Sequence, residues 1–213
     1  MVLLGVAYFL IRRFIFRDQR LKTEKPVLIS KIAISGMRFD SFLVGLFIII
    51  HVGSRFLSAS FEIAGSHPDW SQPVANLTAK LWINFHPDTI LFMEHITWWL
   101  ALGLILLFLP YFPMSKHAHL FMGPLNIMAK EKRRSMASLE KIDFEDDNIE
   151  QFGSSRIKHL PQTQLLDGYA CIQCSRCQDA CPAYETGKEL SPSALEINKR
   201  YFFNENFTPL SNG

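Results

Sequence analysis

The sequence predicts a mainly α protein, in which a transmembrane helix bundle of two or three spans is followed by a small α-helical cytoplasmic domain. Hydrophobic residues make up 48% of the 213 residues and concentrate in three stretches with charged borders. From about Lys130 onward the composition is charged and typical of a soluble segment. These observations indicate a membrane part joined to a soluble part. The net charge of +2 is too small to imply a nucleic-acid partner.

Two of the apolar stretches, residues 42–61 and 89–113, are long enough to cross the membrane. About 20 helical residues are needed to cross roughly 30 Å of hydrocarbon. The first stretch, Val2 to Phe16, is short for a span and is interrupted by Arg12 and Arg13. It is either the inner part of a truncated span or a helix whose arginines snorkel to the interface. Of these alternatives we favour a span.

The distribution of basic residues orients these spans. The loop from Glu62 to Asp88 contains one lysine, Lys80. Basic side chains lie instead before the second stretch and after the third: Arg17, Arg20, Lys22, Lys25, Lys31, Arg38, Lys116, Lys130, Lys132, Arg133 and Arg134. The positive-inside rule therefore places the N-terminal connection and the C-terminal third on the cytoplasmic side.

The predicted domain organisation has three parts. Residues 1–129 form the membrane anchor, residues 130–156 a linker, and residues 157–213 a peripheral domain. A domain as short as the last one commonly needs a metal or a partner to hold it together.

Four cysteines supply such a site. Cys171, Cys174, Cys177 and Cys181 have the C-x2-C-x2-C-x3-C-P spacing of the bacterial ferredoxin run, and Pro182 completes it. In that run three thiolates on a tight loop bind one 4Fe-4S cluster, and the fourth ligates a second cluster. The alternative is a zinc site, but its paired cysteines are normally well separated along the chain. The sequence therefore favours an iron-sulfur cluster in a ferredoxin-like domain.

The number of cysteines leaves the ligand set open, because a cluster needs four ligands and the chain holds one run. Either Cys181 bends back to complete a single cluster, or a second run on a missing extension or a partner chain exchanges fourth ligands with this one. We favour the second alternative, and we therefore expect the iron-sulfur domain to be incomplete.

The segments around these residues resemble known families. Leu166 to Ala183, followed by Thr186 to Pro192, resembles iron-sulfur oxidoreductases related to the D subunit of heterodisulfide reductase and to the C subunit of anaerobic glycerol-3-phosphate dehydrogenase. Leu109 to His119 resembles the cytochrome b module of the nitrate reductase gamma subunit. The resemblance implies a cytochrome b-like anchor with two b haems held by paired histidines, quinone chemistry, two 4Fe-4S clusters, and a location in the bacterial or archaeal cytoplasmic membrane.

Four histidines and one arginine are candidates for haem binding. Ionisable groups within membrane spans are functional candidates, and a haem needs imidazoles that project inward from the helices. His51 lies in the middle of the second stretch, with Arg55 one turn later for a haem propionate, and His95 lies in the third stretch. His117 and His119 follow at the inner interface. The alternative is that these are polar residues facing the bundle, the headgroups or water.

The sequence thus predicts an electron-transfer subunit between the quinone pool and a soluble redox partner, with lipid and other redox subunits as further partners. One competing hypothesis is a structural or assembly subunit with a stabilising metal site and no haem. Another is a quinone-reactive anchor that passes electrons directly to the cluster.

Overall fold

Helices account for all the regular secondary structure that the chain shows in its described parts. The computed structural model describes residues 1–16, 27–130, 144–145, 153–154 and 156–211, with side chains described as far as residue 206. The α-helices are α1 (Val2–Leu10), α2 (Lys31–Gly65), α3 (Pro73–Ala79), α4 (Pro87–Tyr111), α5 (His119–Ala129), α6 (Gln162–Ala170), α7 (Arg176–Asp179), α8 (Pro182–Glu185) and α9 (Pro192–Ser211). The predicted mainly α fold is confirmed.

Two helices are long and apolar enough to cross a membrane. They are α2 and the continuous segment Pro87–Met114, which consists of α4 and a following 3-10 turn. The predicted stretches 42–61 and 89–113 lie within them. Helix α1 continues as a π-helical turn to Ile15, but residues 2–15 cover only about 21 Å at 1.5 Å per residue. The described part of the first stretch therefore adds no third candidate span.

The described chain divides into two compact units. The first consists of Met1–Thr23 and Met37–Met114, as far as these are described. Within it, α2 and α4 pack antiparallel, because residues early in α2 meet residues late in α4. The contacts run in order along the pair as Asp40 with Tyr111, Phe47 with Phe108, and His51 with Ala101.

Trp82 ties the connection between α2 and α4 to the end of α2. Its indole Nε1–H donates a hydrogen bond of 3.1 Å to Ser60 Oγ, which also lies 2.9 Å from Thr78 Oγ1 of α3. Its ring packs on Phe61 with 5.0 Å between centroids. Ser60 is fully buried, so both of its polar contacts are made within the protein, as a buried hydroxyl requires.

The second unit consists of Glu24–Gly36 and Ser115–Gly213, and α6 is at its centre. Helix α5 packs on α6, where Asn126 donates to Asp167 Oδ1. On its other side α6 approaches α9 closely, since a Cβ added at Gly168 would lie 3.4 Å from the backbone of Arg200 and of Glu196. The two helix backbones are therefore close enough for a Cβ at position 168 to contact α9 directly.

Arg200 is the largest fully buried side chain of the second unit. Its guanidinium donates to the carbonyl of Ser115 and lies 5.5 Å from the ring centroid of Tyr169. Burial raises the pKa of the Tyr169 hydroxyl, while the charge of Arg200 opposes that change. The contact of this buried cation with the Tyr169 ring joins α9 to α6.

The predicted domain boundaries at residues 129/130 and 156/157 stay predictions. The two compact units divide the chain by its internal packing, whereas the predicted boundaries mark the end of the membrane anchor and of the linker. Most of the predicted linker lies outside the described residues.

Candidate metal centre

The four cysteines lie on one short segment between α6 and α8. Cys171 directly follows the last residue of α6, Cys177 lies within α7, and Cys181 directly precedes α8. Cys174 lies in the loop between α6 and α7. Cys174 and Cys177 are exposed, whereas Cys171 and Cys181 are partly buried. Short helices therefore flank the segment, and the thiols of Cys174 and Cys177 are accessible to solvent.

Two non-glycine residues with left-handed backbone conformation shape the loop. Gln173 has φ 64° and Ser175 has φ 61°. Such residues reverse the local direction of the chain, and at non-glycine positions they are uncommon and concentrate at functional sites. The backbone N–H of Gln173 points back and donates to Cys171 Sγ at 3.4 Å. The loop thus turns between successive cysteines and provides a sulfur with a hydrogen-bond donor.

The electrostatics of Cys171 identify its neighbours. Burial raises the pKa of the Cys171 thiol, the N–H of Gln173 lowers it, and the negative charges of Cys177, Glu196 and Cys174 raise it further. Cys174 and Cys177 therefore lie within electrostatic reach of Cys171. Metal ions favour thiolate over thiol, so a bound cation would offset the mutual repulsion of these sulfurs.

The two candidate cofactors of the cysteine segment, zinc and a 4Fe-4S cluster, require different arrangements of the thiols. Among the described residues, no three His, Cys, Asp or Glu side chains converge closely enough to hold one metal ion. A structural zinc site needs all its ligands at one ion. A 4Fe-4S cube takes each thiolate on a different iron, so its ligands surround a larger volume. A turning loop with neighbouring sulfurs and an N–H donor to sulfur fits the cube.

Gln178 connects the cysteine segment to the start of α9. It lies between Cys177 and Cys181 and is 7% exposed. Its Oε1 accepts hydrogen bonds of 2.6 Å from Ser191 Oγ and 3.3 Å from Ser193 Oγ. Ser191 Oγ also accepts from the N–H of Ala194 and so caps α9. The start of α9 and the helix carrying Cys177 are thereby joined through buried hydrogen bonds.

The structure places His51 and His95 at different levels of the α2–α4 pair. His51 Nδ1 lies 3.0 Å from the carbonyl oxygen of Ala101, and His95 Nδ1 lies 2.8 Å from that of Leu91 on its own helix. Ala101 is six residues beyond His95, about 9 Å along α4. The two imidazoles are therefore not brought together, and His95 is exposed.

Both rings nevertheless share one feature that a metal ligand needs. A carbonyl oxygen only accepts hydrogen bonds, so Nδ1 carries the proton in each ring. In the neutral imidazole Nε2 then keeps its lone pair, the arrangement that a backbone carbonyl imposes on metal-binding histidines. Arg55, predicted to meet a haem propionate, is exposed one turn after His51.

His117 and His119 belong to the second unit. His117 lies in a 3-10 turn, where its Nδ1 is 3.4 Å from Ser115 Oγ. His119 begins α5, and its Nδ1 is buried with no hydrogen-bond partner among the described residues. A buried nitrogen without a hydrogen-bond partner costs free energy. This cost distinguishes His119 from His117.

The roles of Gln178, Glu196 and the two left-handed residues were not predicted from the sequence. The Ser191-Pro192-Ser193 segment carries a signal, because serine before a proline at the first helical position is typical of a helix start. No sequence pattern joined it to Gln178, thirteen residues earlier.

The chain is similar to two iron-sulfur or quinone oxidoreductases. It is 34% identical over 200 residues, 94% of the chain, to the Bacillus subtilis (strain 168) protein named "Probable iron-sulfur-binding oxidoreductase FadF". It is 28% identical over 205 residues, 92% of the chain, to the "EtfAB:quinone oxidoreductase" of Syntrophomonas wolfei subsp. wolfei (strain DSM 2245B / Goettingen). The matches span 26% and 27% of these curated relatives, about a quarter of their length. No protein-family profile and no solved structure matches.

Proposed function

We propose that this chain is a membrane-anchored electron-transfer subunit that passes electrons between quinone and a soluble redox partner. The observation that carries the proposal is the cysteine segment, in which Cys171, Cys174 and Cys177 are electrostatic neighbours on a turning loop. The names of both relatives support redox chemistry, and one of them names quinone. Two membrane-length helices on the same chain would bring this chemistry to the lipid phase.

The cysteines would hold a 4Fe-4S cluster, which supplies one-electron transfer when bound. Cys171, Cys174 and Cys177 would each bind one iron through a deprotonated sulfur. The Gln173 N–H would donate to the Cys171 thiolate and so favour the state with more negative charge. The charge of Glu196 would oppose it. The resemblance to heterodisulfide reductase D supports this part of the proposal.

Serine substitutions of the four cysteines test the cluster. We expect Cys171→Ser, Cys174→Ser and Cys177→Ser to lose iron, sulfide and the low-temperature electron paramagnetic resonance signal of the reduced cluster. Ser175→Gly is the matched control, because glycine adopts the left-handed conformation of that position without cost. Zinc without iron or sulfide in the unsubstituted protein would overturn the proposal and favour the structural or assembly subunit.

Cys181→Ser decides the fourth ligand. If Cys181 belongs to a different cluster from the other three, the substitution leaves the signal of the first cluster intact. If it completes the same cluster, the substitution removes that signal too. The C-x2-C-x2-C-x3-C-P spacing, in which the fourth cysteine ligates a second cluster, supports the first outcome.

Haem b in the membrane helices is a further part of the proposal, supported by the resemblance to the nitrate reductase gamma subunit and by the protonated Nδ1 of His51 and His95. Haem supplies one-electron transfer within the membrane. Because the two rings lie at different levels, His51 and His95 would hold separate haems. His119, with His117 as the alternative, would serve near the inner interface, and Arg55 would bind a propionate.

Absorption spectra test the haems. His51→Ala is expected to reduce the dithionite-reduced minus oxidised α band of b haem, while His67→Ala, in an exposed position, leaves it unchanged. A purified protein without any b-type band would remove haem from the proposal. It would favour a quinone-reactive anchor that passes electrons directly to the cluster.

The charge distribution supports a cytoplasmic location for the iron-sulfur domain. Cysteines introduced as Ser71→Cys, in the α2–α4 connection, and Ser154→Cys, before α6, test it. A membrane-impermeant thiol reagent, followed by mass spectrometry of the labelled peptide, should modify the first in intact cells and the second only after lysis. The opposite order would reverse the orientation.

A further inference from the structure

A cleft of about 360 Å³ opens at the end of the α2–α4 pair nearest α3. The end of α2, the connection before α4 and the first two turns of α4 form its walls. Its main lining side chains are Glu62, Ile83, Phe85, Ile90, Leu91 and Glu94. A volume of this size is within the range of small-ligand sites, which combine apolar walls with a few polar groups.

The two carboxylates enter the cleft from different helices. Glu62 comes from the last turn of α2, and Glu94 comes from the second turn of α4. Glu94 is seven residues beyond Pro87, about 10 Å into a helix long enough to span a membrane. An acidic side chain at that depth is costly in hydrocarbon and is a functional candidate. In the cleft, Glu94 shares the lining with a second carboxylate, that of Glu62, and with apolar side chains.

Aromatic packing fixes the opposite wall. The ring of Phe85 lies 5.7 Å from that of Trp82, which is itself hydrogen-bonded to the buried Ser60. Leu91 contributes to the cleft, and its carbonyl accepts the Nδ1–H of His95. The residue that lines the cleft thus also orients the adjacent imidazole.

We propose that this cleft binds the headgroup of a quinone and that Glu62 and Glu94 exchange its two protons. The inference rests on the proposed function. On oxidation of a quinol the two O–H bonds break, and the protons pass to the carboxylates and then to water. The two electrons leave one at a time to the one-electron haem or iron-sulfur acceptors proposed above, and the quinone forms. Reduction follows the same steps in reverse.

Menadione, a naphthoquinone headgroup without an isoprenoid tail, tests binding in the complete protein with its native partners. Trp82 would report it, because its ring contacts Phe85 at the cleft. The other three tryptophans of this sequence, Trp70, Trp98 and Trp99, are replaced by phenylalanine, and the Trp82 signal is the difference from a variant that also carries Trp82→Phe. We expect menadione to quench Trp82 fluorescence with saturation, and Ala64→Phe, which fills the cleft, to weaken binding at least tenfold.

The isosteric substitutions Glu62→Gln and Glu94→Gln test proton exchange without altering the shape of the cleft. We expect the double variant to slow menadiol-driven cluster reduction at least tenfold and to alter its dependence on pH. Asp88→Asn, an exposed acid of α4 outside the cleft, is the control and should retain the rate.

The outcomes separate this inference from the proposed function. If the unsubstituted protein is reduced by menadiol and all cleft variants bind menadione and react within twofold of it, the cleft is not the site, and the proposed function stands. If menadiol fails to reduce the cluster in the unsubstituted protein, both fail.

Discussion

Replacing Gln178 by alanine should destabilise the cysteine segment without changing a cysteine. The substitution removes the acceptor of two buried hydrogen bonds, 2.6 Å from Ser191 and 3.3 Å from Ser193. A net contribution of about 0.5–1.5 kcal/mol for each gives a loss of about 2 kcal/mol. The two hydroxyls lie 3.1 Å apart and can still bond to each other, which limits the cost.

A loss of about 2 kcal/mol corresponds to a decrease in Tm of about 8–16 °C for a domain of 60–100 residues. The assay is the temperature at which the visible absorbance of the cluster is lost, measured together with circular dichroism. Gln164→Ala, an exposed glutamine of α6, is the matched control. Ser191→Ala should fall between the two. If Gln178→Ala and Gln164→Ala lose the cluster at the same temperature, the coupling of α9 to the cysteine segment is refuted.

Substitutions at three further positions probe the packing and charge of the second unit. A Cβ at Gly36 would overlap the ring of Tyr201, so Gly36→Ala should destabilise by about 1–3 kcal/mol in chemical denaturation, and the cost should vanish in a Tyr201→Ala background. At Gly168, alanine makes an ordinary 3.4 Å contact and should be tolerated, whereas valine should lower Tm; equal effects would contradict the close helix approach. Glu196→Gln removes a charge that acts on Cys171, so redox titration should show a higher cluster potential, by less than about 59 mV, a tenfold change for one electron. Glu205→Gln, nine residues further along α9, should not shift it.

The apolar centres of α2 and α4 could be predicted from composition, but the start of α2 could not. The helix begins at Lys31, eleven residues before the predicted stretch, and includes Arg38 and Asp40. Charged residues normally end an apolar window. Asp40 is buried and accepts a 2.7 Å hydrogen bond from Tyr111, a residue 71 positions away. A contact at that separation leaves no periodic signal in the chain.

The candidate site likewise combines local features, which the sequence predicts, with contacts between distant residues, which it does not. The cysteine spacing is local, so it predicts which thiols can share a cluster. The surroundings of the thiols depend on α9, which contributes Glu196 and, at its start, Ser191. For His51 the partner is a backbone carbonyl of Ala101, and every residue has a carbonyl. Residue type alone could therefore mark the histidine but not its partner or its level in the bundle.

The backbone N–H of Gln173 donates to Cys171 Sγ. Hydrogen–deuterium exchange of this amide can therefore report the charge on the sulfur. A charged acceptor holds a donor more strongly than a neutral one. Exchange of this amide hydrogen with deuterium therefore slows as negative charge accumulates on the sulfur. Local opening of the loop sets the pace of that exchange. If the proposed cluster is bound, the deuterium uptake of this peptide should differ between the oxidised and the reduced protein, which reports the redox state without an optical signal.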